Sequence, residues 1–107
     1  MSNDISDETL LEEQQKQQEK DREVELSDLR SLLGSDVSRR VLRRILGRAG
    51  IFQTSFDPES DRNMAFSEGR RDMGLWLFSE LGEANIEGLG RLIVELQKPQ
   101  RIDETKV

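Results

Sequence analysis

The sequence predicts an all-α protein, a small bundle of about four helices behind a polar N-terminal arm. Apolar residues recur at helical spacing in four separate stretches of the 107-residue chain, and nowhere do apolar and polar residues alternate long enough for a useful strand. Ser, Asp, Asn, Gly and Pro fall where those stretches would begin and end. The apolar residues are concentrated between Leu26 and Leu96, so the folding unit is about 70 residues, a size that buries only a modest core and favours a role inside a larger assembly. The organisation that follows is an acidic arm over 1–25, a helical domain over 26–98 and a polar tail over 99–107.

The arm begins with Leu10-Leu11 and then runs from Glu12 to Glu23 without one apolar side chain. Its residue types favour helix and Glu12 stands four before Lys16, but a helix polar all round has nothing to bury. A solvated, partly helical arm is expected. Two readings of it stay open: a disordered leader, or a segment that orders on a partner or masks arginines elsewhere in its own chain.

Ser27-Asp28 starts a short helix near 27–33 with Leu26, Leu29, Leu32 and Leu33 on its apolar side, and Gly34 ends it. Ser35 or Asp36 caps the next, near 36–49, for which Gly50 is the stop. That helix divides cleanly: Val41, Leu42, Ile45, Leu46 and Ala49 fill one half of the wheel and Arg39, Arg40, Arg43, Arg44 and Arg48 the other. The bases are all Arg, whose planar fork suits carboxylate and phosphate better than Lys does. This face is the candidate partner-binding surface. It reads as a solvated face, a contact for an acidic protein surface, or a contact for nucleic-acid backbone. An acidic chain, and a helix without the Asn or Gln that reads adenine, argue against specific DNA recognition.

Residues 51–63 make a connection too long for a plain turn. Ile51, Phe52 and Phe56 are expected to pin it to the core, and Pro58 to stop any helix. A metal site at Asp57, Glu59 and Asp61 is a weak alternative to ordinary solvated polarity. A central helix near 64–82 follows, holding the only Trp and two of the four Phe. At about 100° per residue Phe66, Met73, Leu77 and Leu81 share one stripe, with Phe78 beside it, and this predicts the central core helix. Gly69 and Gly74 interrupt it at a cost of about 1 kcal/mol each relative to Ala, which predicts close helix–helix approach. Arg70 falls on the apolar stripe and is expected to be a buried staple for carbonyls or for a carboxylate such as Asp57 or Asp61, with the grip of a ligand anion as the alternative. Trp76 lies off the stripe. Gly82 is expected to break the chain before a last helix near 85–98, which Asn85 or Glu83 begins, with Ile86, Leu89, Leu92, Ile93 and Leu96 on one face and Pro99 as its stop.

Chemistry is bounded tightly. With no Cys and no His, disulfides, Cys or His metal sites, thiol nucleophiles and imidazole acid–base catalysis are excluded. No EF-hand, phosphate loop or GxGxxG after a strand occurs, so the chain is expected to be no enzyme and to carry no cofactor or metal. No apolar run nears the roughly 20 residues that cross a bilayer, and the N-terminus is unlike a signal peptide; a soluble protein made in a cytosol, without membrane contact, is expected. Net charge is −6, distributed as −6 over residues 1–30, +4 over 31–56 and −4 over the remainder. An acidic arm therefore leads into an arginine-rich helix.

Two blocks of residues carry a resemblance. Ser38-Arg39-Arg40-Val41-Leu42 with Ala49-Gly50-Ile51-Phe52 and Ser55-Phe56 is one; Ala65-Phe66 with Glu68-Gly69-Arg70-Arg71-Asp72-Met73-Gly74-Leu75 is the other. Together, over roughly residues 28–90, they resemble the Bbp19-like tailed-bacteriophage domain family. Ser38 departs from the glycine expected before the arginine pair, a change of local packing. The resemblance implies a phage protein encoded among portal, scaffold and capsid genes. It therefore implies a virion or assembly role, made in the host cytoplasm and working there or in the particle. It transfers no catalytic residue. The matching positions, Gly50, Phe52, Phe56, Phe66, Glu68, Gly69, Arg70 and Gly74 among them, are explained largely by fold. The leading expectation is a non-enzymatic structural or assembly protein that docks on a portal, scaffold or other virion component. The alternatives are a nucleic-acid-associated packaging or ejection accessory, and a small regulator that binds a host protein through an apolar groove beside Trp76.

Overall fold

A computed structural model of the chain describes residues 3–53 and 60–98. Four helices make up nearly all of them: α1 Asn3–Leu33, α2 Asp36–Ala49, α3 Asp61–Ala84 and α4 Ile86–Gln97. The described residues contain no strand, and the fold is the all-α bundle that the periodicity predicts.

The boundaries follow the capping chemistry. Ser35 caps α2 by accepting from the Ser38 amide at 3.3 Å. Gly50 ends it in the left-handed region, φ 70° and ψ 38°, and its N–H donates to the Leu46 and Gly47 carbonyls at 3.2 Å. Ser60 caps α3 by accepting from the Asn63 amide at 3.1 Å, which moves the start back from residue 64 to Asp61. At the other end Gly82 does not break the helix. α3 continues to Ala84, and Asn85 closes it with an amide donated to the Leu81 carbonyl at 3.0 Å while its own side chain accepts from the Gly88 amide at 3.1 Å to open α4. Gly82 serves packing instead, since a Cβ there would lie 3.2 Å from Leu89 Cδ2.

The core consists of Leu33, Leu42, Leu46, Ala49, Ile51, Leu81, Leu89 and Leu92, with Leu29, Leu75, Leu77, Phe78, Ile93 and Leu96 packed around it. Each fully buried leucine contributes about 1.5–3 kcal/mol by leaving water. All four helices touch one another, and the three most extensive contacts all involve α3, so it is central as expected. Only part of its stripe is core, however: Leu81 is buried and Leu77 half-buried, whereas Phe66 and Met73 are exposed. Ile86 of α4 is exposed too. Of the two glycines, Gly74 makes the close approach. A Cβ there would stand 2.5 Å from Ala49 Cβ and 2.6 Å from Ile51 Cγ2, whereas one at Gly69 would meet nothing. In the connection Ile51 is buried, and Phe52 is largely exposed but meets Phe78 edge-on with ring centroids 6.1 Å apart. Phe56, Pro58, Pro99, Asp57 and Glu59 lie outside the described residues.

The larger departure is α1, one unbroken helix that joins the expected 27–33 helix to an arm expected to be only partly helical. Residues 26–33, anchored by Leu29 and Leu33, supply a nucleus, and the Glu-, Gln- and Lys-rich arm extends it at little cost per residue. Side chains 6–21 are all exposed. Arg22 is the first anchor on the body: its Nη1 donates to Glu80 Oε1 at 2.8 Å, and its Nη2 to Glu80 Oε2 and Glu83 Oε2 at 2.5 Å. Further down, Arg30 Nη1 donates to the Ala84 carbonyl at 3.4 Å, at the end of α3.

Two predictions follow from this packing. Gly74→Ala should destabilise the protein by about 1–3 kcal/mol, because Ala49 Cβ can yield only by moving the α2 backbone. Gly69→Ala should stabilise it by up to about 1 kcal/mol, both read from urea melts followed by circular dichroism. The Arg22 hydrogen bonds hold the Glu80 carboxyl below its ordinary value. With the folded-state value depressed, the stabilisation is complete above the unfolded carboxylate value and is lost as pH falls through the folded one. Wild type should therefore lose more stability on acidification than Glu80→Gln; equal losses would show that the pair contributes nothing.

Candidate functional site

The arginine face of α2 is two populations. Arg39 is 2 % exposed. Its Nη1 donates to the Leu33 carbonyl at 2.7 Å, one of the carbonyls that the end of α1 leaves without an intrahelical partner, and its Nε donates to Glu95 Oε1 on α4 at 2.9 Å. Its Nη2 pairs with Asp36 on its own helix. Arg43, mostly buried, takes the other oxygen of Glu95. The surface reading of Arg39 and Arg43 is therefore corrected: they bind helices together, because Glu95, 56 and 52 residues away in the chain, arrives beside them only in the fold.

Arg40, Arg44 and Arg48 remain exposed, with no carboxylate at ion-pair distance among the described residues. Arg44 and Arg48 line one side of an open groove of about 690 Å³ between α2 and α3. Val41 and Ile45 join them from α2; Met73, Trp76 and Leu77 face them from α3. Ala49 and Gly74, where the helices come closest, complete the lining. Trp76 is 59 % exposed. Arg70 lines the α3 side.

Arg70 is not the buried staple expected of it. It is exposed, with Cζ 5.8 Å from the centroid of the Phe66 ring, itself 70 % exposed. Such a cation–π contact contributes about 0.5–1 kcal/mol on a surface. The staple role belongs to Arg39. Glu68 and Gly69 also lie on the exposed side of α3. The physical reason is common to these corrections: the packing of the other helices leaves this part of the α3 stripe uncovered. The one sequence signal for the groove is that Val41, Ile45, Met73 and Trp76 are large apolar residues left exposed beside the core.

The groove is chemically plain, an apolar trough with cationic lips. The described residues hold no group of three or more Asp or Glu placed to bind a metal ion, and Asp57 and Glu59 of the weak metal alternative fall outside them. No described helix is long and apolar enough to cross a membrane.

A four-helix all-α bundle with an exposed apolar groove defines the class. The family follows: the model of the Bbp19-like phage proteins matches residues 29–94, well over half of the chain, and the chain belongs to that family. It is a bacteriophage protein. Comparison with curated proteins and with solved structures found no significant match.

The two arginine populations should separate on mutation. Arg39→Ala should cost about 3 kcal/mol, because Glu95 and the Leu33 carbonyl lose a buried charged donor. Arg40→Ala and Arg44→Ala should stay within about 0.5 kcal/mol of wild type in the same denaturant series.

Proposed function

We propose that this protein is a non-enzymatic structural or assembly component of a tailed phage, docking on another protein of the particle through the groove between α2 and α3. The observation that carries the reading is the exposed trough of Val41, Ile45, Met73 and Trp76 with Arg44, Arg48 and Arg70 at its edges. Contiguous apolar surface rimmed by polar residues is characteristic of protein interaction sites, and Trp and Arg are the residues most enriched among binding hot spots. The absence of Cys and His from the chain supports a role without bond-making.

Nucleic acid is the weaker partner. Two of the five arginines are engaged within the fold, and the floor of the groove between its arginine lips is apolar. The exposure of Trp76 favours one second reading, a small regulator that seats a segment of a host protein in the same groove.

Mass spectrometry of purified particles and assembly intermediates separates these readings. The assembly role requires the protein at fixed copy number in one or both, and a drop of at least about tenfold, or 1.4 kcal/mol, in incorporation when Trp76→Ala is combined with Arg44→Glu. Absence from both overturns it; recovery only with a host protein supports the regulator.

A further inference from the structure

The occupant of the groove can be argued from charge and shape within this one chain. The groove needs an apolar insert with acidic shoulders. α1 carries one: Leu10 and Leu11 are both exposed. At about 100° per residue Glu8 and Glu13 fall on opposite flanks of that leucine pair. The stretch from Glu8 to Glu13 covers a turn and a half, and the groove wall from Val41 to Arg48 about two turns, so the lengths correspond. The lips are cationic on both sides, Arg44 and Arg48 from α2 and Arg70 from α3.

The arm does not fill its own groove. α1 is continuous from Asn3 to Leu33, and its C-terminal third is held by Arg22 on Glu80 and Glu83 and by buried Leu33. That continuity carries residues 6–21 off the body as a solvent-exposed extension of about 24 Å. The idea that the arm masks the arginines of its own chain is thereby set aside. A helix polar on nearly every side leaves these two leucines as the apolar surface the arm has to offer a second surface.

We propose that the groove receives the acidic arm of a second copy of this chain. Leu10 and Leu11 seat against Ile45, Met73 and Trp76, and Glu8 and Glu13 meet the arginines on the two lips. Reciprocal exchange gives a closed two-fold dimer in which each arm completes its partner's core. Ion pairs at the lips set orientation and salt dependence, and the leucines supply the buried area. The proposal deepens the docking role and rests on the same groove.

The test is sedimentation velocity on the full chain over a concentration series, at low and high salt. Wild type should reach twice the monomer mass, and high salt should weaken the association. Leu10→Ser with Leu11→Ser, and separately Arg44→Glu with Arg48→Glu and Arg70→Glu, should each weaken it by at least about a hundredfold. All these residues are exposed; should the groove variant fail to fold, the arm variants still decide the matter, because they lie off the body. Glu8→Arg with Glu13→Arg should also be monomeric alone, yet mixing it with the triple groove variant should restore a dimer containing one copy of each.

A chain that stays monomeric throughout, a dimer indifferent to these substitutions, or a mixture of the folded variants that does not recover overturns the proposal. The docking role survives a monomeric chain if the triple groove variant still drops out of particles. The docking role alone fails if the chain dimerises as stated and no particle or intermediate contains it.

Discussion

The guanidinium of Arg39 ties together three segments that the chain presents separately: the last carbonyl of α1, Glu95 of α4 and Asp36 at the start of α2. A domain this small has few fully buried leucines, and this hydrogen-bonded cation is the one charged side chain buried among them in the described residues. Burial makes the arrangement conditional. A charge removed from water is tolerated only with its donors satisfied, and here the carbonyl, the carboxylate and the local aspartate must all be in place. Arg43 on the second oxygen of Glu95 and Arg91 Nε at 3.5 Å from the first extend the node across α4.

Gly74 supplies the matching constraint on the apolar side. With Ala49 and Ile51 pressed onto a residue without a Cβ, α2 and α3 pack as closely as their backbones allow at that point. The close crossing explains both the core below it and the groove beside it. Leu46, Leu81 and Leu92 are sealed in, while Val41, Ile45, Met73 and Trp76 stay outside. A single feature of the packing thus makes the interior and the exposed groove at once.

The long first helix belongs to the same economy. Its C-terminal part is a structural member of the bundle, held by Arg22 and Leu33, and its N-terminal part is an acidic rod with two exposed leucines. Acidic rod and arginine-lipped trough are complementary in charge, and the continuity of α1 keeps the rod off the trough of its own chain.

Much of this was legible in the residues. Helix count, the bounds of α2, the Gly50 stop and the Ser35 and Asn85 caps are local matters, set by spacing and by which side chains can satisfy a free amide or accept a left-handed backbone, whereas close approach was expected at both Gly69 and Gly74 and only the fold shows that Gly74 alone makes it. The family blocks were legible for the same reason, as short contiguous patterns. What the residues alone left undetermined was which face meets which. Periodicity marked Phe66, Arg70 and Met73 as one stripe and Arg39 as one of five surface arginines, and the fold reversed both assignments. Whether an apolar stripe becomes core or surface depends on where another helix ends above it, and whether an arginine is buried depends on a glutamate more than fifty residues away. Those are properties of three-dimensional closure, and only the tertiary structure decides them.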